Sequence, residues 1–455
     1  MQMHQKSPTL RRAKSQNYQT TDQVGCSHSL PTKVTESGDT MSTSIANTLE
    51  NGQIINKERI LSVDVLRGFA LFGIPYSHMV FWYAGGALPE KLYQSQMSGL
   101  SILFSAIYAI FFIAKFFSIF SFLFGLSFYI QMRTLIKYGD NFVARFAWRL
   151  AILGMIGLLH RTFWRADILS IYVPLGFLLI AFRNISNRAL LVIGCILTLN
   201  IPTQIAQYIN LQVNNNYQFF QSYHDSEVAL YFQTVMQDNV WLMCRDNLAG
   251  TIDAIRYQIS SGRLLITFGF FLLGMLVGKL GWFDQPDAAT KYFRPIWSKS
   301  WKVILGILCA VIVLGIAQKV LGIDTQKSPW AQMPFLMLYD FFNTTMAVFY
   351  ITGITILLTK DSWLKWLSPL AAIGKMALTT YLTQSIIGVF LFFHVGFGLI
   401  GKTSPAQNIG ICLLIFAVQI VFSRWWLARF YYGPVEWLWR SATFFKWQPF
   451  KKHPV

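Results

Sequence analysis

The chain has 455 residues, of which 54% are hydrophobic and only 13% charged, and its mean hydropathy is +0.43. Soluble domains carry about 25% charged residues, so that composition excludes a water-soluble globular enzyme. The net charge of +18 is explained by basic loops and tails, and no nucleic-acid partner is expected.

Apolar runs of the length needed to cross a bilayer, about 20 residues per helix, define an all-α polytopic membrane protein. Residues 1–58 are polar, rich in Ser, Thr, Gln and Asn, and read as a disordered cytoplasmic tail. No cleavable signal is evident, so the first span is expected to act as the insertion signal. About ten transmembrane helices are predicted, near 61–83, 115–133, 146–161, 167–183, 188–207, 263–283, 300–322, 333–358, 372–396 and 408–429. The stretch 99–114 is too long to share one helix with 115–133 and is expected to form a separate interfacial or re-entrant helix. Residues 208–262 form the one large hydrophilic loop, expected to carry amphipathic helices on the outer face. The membrane domain is placed at 59–446, and 447–455 is read as a short cytoplasmic tail. No barrel-type alternation is visible, and helices keep every backbone group bonded inside lipid.

Loop charge sets the orientation. With the N-terminus inside, inner segments hold 25 of the 38 basic residues and outer segments nine, so both termini are expected in the cytoplasm. The five cysteines show no C-x-x-C, zinc spacing or disulfide framework. No metal site is predicted, and nucleotide-binding fingerprints are missing.

The ionisable residues inside the spans carry the functional argument, because each costs about 2.5–3.5 kcal/mol on insertion scales. Arg67 and His78 lie eleven positions apart in "LRGFALFGIPYSHM", on one helix face and about 16 Å apart along the axis. Arg67, Arg149 and Lys375 fall toward the cytoplasmic side. His78, Lys115, His160, Asp167, Asp340 and His394 fall toward the outer half, and His78, Lys115, Asp167 and Asp340 are expected to converge in one cavity. Each residue also has a plainer reading. Arg67 with Asp64 forms an intrahelical ion pair, His160 and Arg161 complement a helix end, Asp167 caps the fourth span, and Lys115 snorkels to headgroups. His78 is harder to dismiss, lying three residues after Pro75, whose kink frees a backbone carbonyl.

Six ordered blocks resemble a known family: "ERILSVDVLRGFALFGI", "KFFSIFSFLFGLSFYIQ", "RLAILGMIGLLHRTFWRADILSIYVPLGFLL", "RLLITFGFFLLGMLVGK", "GKMALTTYLTQSIIG" and "YYGPVEWLWRSATFF". Over residues 58–446 the chain is similar to the YeiB-like inner-membrane family, the bacterial domain of unknown function 418. That family is similar at the fold level to the membrane acyltransferase superfamily, which includes acyltransferase-3 proteins and heparan-α-glucosaminide acetyltransferase. The resemblance implies a transmembrane acyltransferase-like bundle in a bacterial inner membrane. Acyltransferase-3 proteins carry an Arg and a His separated by ten residues in their first helix, and this pair maps onto Arg67 and His78.

The expected function is transfer of an acyl group from cytoplasmic acyl-CoA, the co-substrate, to a small-molecule or envelope glycan or lipid acceptor at the outer side. In that reading Arg67, Arg149 and Lys375 bind the CoA phosphates. His78 is the general base, Asp340 or Asp167 orients it, and Lys115 or Tyr172 stabilises the oxyanion. Two other classes stay open: a transporter of a small organic solute, favoured by Pro75, Pro174 and Gly-rich spans, and a non-catalytic scaffold that docks through 208–262.

Overall fold

The computed structural model describes residues 60–83, 88–137, 139, 141–214, 222–285, 287–323 and 329–452. The expected tail 1–58 lies outside the described residues, as do 215–221 of the hydrophilic loop and 453–455. Everything described belongs to the unit Ile55–Val455, and among these residues there are helices and turns but no strand, only an isolated bridge between Phe430 and Lys451.

Helix α1, Leu61–Ser77, runs into a π-helical turn at His78–Trp82. Pro75 sits inside α1, and its ring leaves the carbonyl four residues earlier without an N–H donor. That carbonyl, Leu71 O, accepts from the Gln384 side chain at 3.2 Å. The kink is therefore satisfied by a side chain from another helix. After α2, Glu90–Ser95, the stretch expected to stand apart forms α3, Gly99–Ile107, with a π turn at Tyr108–Phe112. The break falls at Ile113–Ala114, where Ala114 takes a left-handed φ of +64, costly for a residue with a β-carbon. Helix α4, Lys115–Lys137, follows.

Helices α5, Phe142–Phe163, and α6, Leu169–Ala181, come next. Then α7, Asn187–Thr198, and α8, Ile201–Asn214, meet at a 45° bend. The hydrophilic segment carries α9, Ser222–Val235, α10, Val240–Ala249, and α11, Thr251–Ser260. The chain continues through α12, Arg263–Lys279, α13, Arg294–Val320, and α14, Pro329–Leu357. Helices α15, Asp361–Lys375, and α16, Ala377–Phe392, meet at 82°. Helices α17, Pro405–Arg429, and α18, Pro434–Phe444, complete the set.

Among the described residues five helical stretches are long and apolar enough to cross a membrane, or eight if each of three bent pairs is one span. This is a multi-pass membrane protein, although helix length and composition support fewer spans than the ten expected. One expected span needs correcting. Residues 372–396 straddle the elbow at Met376, so their first turn belongs to α15. That helix presents Trp363 and Trp366 outward, 45% and 81% exposed.

Helix α1 lies at the centre, with Val63 to Leu66, Gly68, Ala70, Leu71 and Gly73 to Tyr76 buried. It approaches α15 closely enough that a β-carbon on Gly68 would sit 2.1 Å from Leu370 O, and one on Gly374 would sit 1.8 Å from Asp64 O. Small residues permit such backbone contact where lipid supplies no hydrophobic drive between helices. Helix α13, by contrast, buries only Ser300 and Ile307. At the other end of the chain, residues beyond α18 fold back: Tyr431 N–H donates to Phe450 O (3.0 Å) and Lys452 N–H to Arg429 O (2.8 Å).

Candidate functional site

Two helices carry the same spacing. Arg67 and His78 lie eleven residues apart along α1 and its π turn, and so do Arg149 and His160 in α5. His78 and His160 lie within electrostatic reach of each other, as do Arg67 and Arg149. The two ladders therefore run in the same direction, with both arginines at one level and both histidines about 16 Å away along the axes.

At the histidine level the chain leaves α5 and caps α6. Asp167 is the hub, its side chain fully buried. One carboxylate oxygen, Oδ2, accepts from the Ser170 N–H at 2.7 Å, closing the first turn of α6 in the manner of an N-cap. The other, Oδ1, accepts from His160 Nδ1 at 2.7 Å and from the Tyr381 hydroxyl at 3.3 Å. The Tyr381 hydroxyl in turn accepts from the Ile168 N–H at 3.0 Å. In the neutral ring, with Nδ1 donating its proton to the carboxylate, the lone pair of His160 lies on Nε2. That nitrogen is buried and, among the described residues, has no hydrogen-bond partner. An imidazole fixed by a carboxylate, with the opposite nitrogen bare, is the arrangement of an oriented general base.

Around this pair stand His78, whose ring centre is 4.9 Å from that of Trp164, and Tyr83, 5.1 Å from Trp164. Among the described residues Trp164 Nε1 and the Tyr83 and Tyr231 hydroxyls are also buried without partners. Unpaired buried donors are rare and call for a reason; here Trp164, four residues after His160, and Tyr83, packed against Trp164, each carry one. The level is roofed by the α10–α11 corner. The buried Arg161 donates to Thr251 Oγ1 (2.8 Å), to Arg165 O (3.1 Å) and to Gly250 O (3.2 Å), and Asn247 donates to Thr162 O (3.0 Å).

The structure does not gather the four expected outer residues into one cavity. Asp167 orients His160, not His78, because the turn Trp164–Ile168 folds it back onto the helix it follows. Asp340 is engaged elsewhere, its Oδ2 accepting from Asn200 Nδ2 (2.9 Å) and Gln204 Nε2 (3.1 Å) at the α7–α8 bend. Lys115 is fully buried rather than snorkelling, with Nζ donating to Ala109 O at 3.3 Å. The Tyr172 hydroxyl is already committed, lying 2.6 Å from Ser121 Oγ and donating to Phe117 O at 3.1 Å.

The arginine level is built differently. Arg67 pairs with Asp64 at 3.0 Å and donates to Ser127 Oγ. The Arg149 guanidinium stacks 3.7 Å over Trp439 of α18, whose indole donates to Arg149 O at 3.0 Å. Glu436, also on α18, seats its carboxylate on the start of α16, accepting from Leu378 N–H (2.6 Å), Thr379 N–H (2.9 Å) and the Thr379 hydroxyl (2.5 Å). Lys375 lies at the C-terminus of α15, two residues before α16 begins. Among the described residues no group of three or more His, Cys, Asp or Glu is placed to hold a metal ion.

The family model "Protein of unknown function (DUF418)" matches residues 277–446. The uncharacterized protein YxaH of Bacillus subtilis (strain 168) is 30% identical over 419 residues, covering 88% of this chain and 97% of its own. The uncharacterized 39.9 kDa protein from the amylase 3′ region of Bacillus acidopullulyticus is 26% identical over 394 residues, covering 85% and 94%. The uncharacterized YeiB of Escherichia coli (strain K12) is 25% identical over 410 residues, covering 85% and 96%. No solved structure matches the chain. Helical membrane architecture and near full-length similarity agree: the chain belongs to the DUF418 family, with YxaH and YeiB among its relatives.

Proposed function

We propose that this protein transfers an acyl group from cytoplasmic acyl-CoA to a hydroxyl or amine acceptor presented at the outer side of a bacterial inner membrane, with both termini in the cytoplasm and ten spans in a transmembrane acyltransferase-like bundle. The observation that carries the reading is the His160–Asp167 pair, with its bare, buried Nε2. His160 takes the acceptor proton as the acceptor attacks the thioester carbonyl, the C–S bond breaks, and the CoA thiolate leaves toward the arginine level. His78 and Trp164 shape the same site, and the buried Trp164 N–H is a ready donor to the developing oxyanion. Arg67, Arg149 and Lys375 supply positive charge for the CoA phosphates on the inner side. The ladder interval of about 16 Å is a distance that an extended thioester arm bridges.

The test is release of free CoA thiol by the purified protein with acyl-CoA and candidate acceptors. Turnover that depends on His160 supports transfer; undiminished turnover in His160→Ala discards it. The 45° bend beside Asp340 and the 82° elbow are the broken helices a transporter uses around a midplane site. Solute accumulation in sealed vesicles without any thiol release would favour that second reading.

A further inference from the structure

Two helix breaks meet at one carboxylate. Helix α7 gives way to α8 at Asn200, which takes a left-handed φ of +57, and α11 gives way to α12 at Gly262, with φ of +68. The bends are 45° and 68°. Asn200 ties the two breaks together, its Nδ2 donating to Ser261 O at 3.2 Å and to Asp340 Oδ2 at 2.9 Å. Both partners are acceptors, which fixes the amide with its nitrogen toward them and leaves Oδ1 over. Asn200 is 3% exposed, and among the described residues that Oδ1 has no donor. It lies against Gly262 and near the Thr203 hydroxyl, where a β-carbon on residue 262 would collide with both. Gln204 Nε2 reaches the same Asp340 oxygen at 3.1 Å and Leu199 O at 3.3 Å.

This corner has acceptor oxygens to spare and no positive partner. Asp340 is half-buried on α14, and among the described residues no Lys, Arg or His is ion-paired to it. Arg263, next to Gly262, holds its guanidinium 4.2 Å from the ring centre of Phe117. The starts of α8 and α12 offset the carbonyl ends of α7 and α11, so the carboxylate decides the sign. Two neutral amides solvate its charge without cancelling it.

We propose that Asp340, Asn200 Oδ1 and the Thr203 hydroxyl hold a monovalent cation of the sodium type at this double break. Carboxylate, amide carbonyl and hydroxyl are hard oxygen donors, and one carboxylate balances one positive charge, whereas a calcium cage draws on several. Broken helices are where membrane proteins place such ions. The site rests on neither the acyl-transfer nor the transport reading.

Full-length protein in neutral detergent and choline buffer, at fixed pH and ionic strength, is titrated with radiolabelled sodium. Wild type is expected to bind it saturably, and its thermal midpoint is expected to rise with sodium but not with equal choline. Asp340→Asn removes the charge and keeps the shape, so sodium affinity should fall at least about tenfold. Asn200→Gly keeps the left-handed backbone and removes the amide oxygen, and Thr203→Val removes the hydroxyl at nearly constant volume; each should weaken binding by a smaller factor. These two report even if Asp340→Asn does not fold. No saturable sodium binding by folded wild type overturns the site, and so do variants that bind like wild type. A midpoint that follows pH and ignores sodium also overturns it, the carboxyl then holding a proton instead. Thiol release is measured separately: sodium binding without release would sink the transfer reading and leave this site standing.

Discussion

The arginine and histidine levels of α1 and α5 differ in how their polar groups are satisfied. At the arginine level each charged side chain has a partner, Asp64 and Ser127 for Arg67, the Trp439 ring for Arg149, the start of α16 for Glu436, and among the described residues only Asp64 Oδ2 of these is left bare. At the histidine level they are missing: His160 Nε2, Trp164 Nε1 and the Tyr83 hydroxyl are buried and unbonded. A fold tolerates unpaired buried groups where something else is meant to pair with them. The contrast teaches that the first level holds helices together through partners of its own, while the second keeps buried polar atoms bare, and on the proposed acyl transfer those atoms serve the chemistry.

The sharpest way to break that contrast is His160→Ala, expected to lower turnover per folded molecule by about 10²–10⁴ with acyl-CoA binding nearly unchanged, while the thermal midpoint falls because Asp167 loses a buried partner. Asp167→Asn should cost nearly as much, up to about 10⁴-fold, because the imidazole stays in place but loses its preferred tautomer. Glu436→Ala should act on stability instead. Each N–H left unpaired at the start of α16 costs about 1–3 kcal/mol, read as a lowered thermal midpoint with turnover per folded molecule preserved. The smallest effect is expected from His78→Ala, under about tenfold in turnover, since no carboxylate orients that ring. A larger loss in His78→Ala than in His160→Ala would reverse the assignment of the base.

Much of this was readable along the chain, and the exceptions have physical reasons. Hydropathy located α13 and α17 well, because those helices face lipid over most of their length and little else constrains them. It missed the elbow at Met376, since "IGKMALTT" contains no proline and the start of α16 is satisfied by Glu436, a residue 58 positions from Leu378. The site was legible in its parts but not in its pairing. Asp167 and His160 are seven residues apart, yet the chain leaves the helix between them, so helical spacing gives no hint of the contact. The interval from Arg149 to His160 repeats that from Arg67 to His78 and was available as a signal; its meaning needs the knowledge that α1 and α5 run the same way.

The seat of Glu436 on α16 also sets an order of events during synthesis. The N–H groups of Leu378 and Thr379 reach the membrane before the carboxylate that receives them has been made. At about 5–20 residues per second, the 58-residue separation leaves them without it for roughly 3–12 s. During that interval α16 depends on water, headgroups or the insertion machinery for what α18 later supplies. The elbow is therefore closed from the C-terminal side, and the start of α16 is completed only when α18 docks.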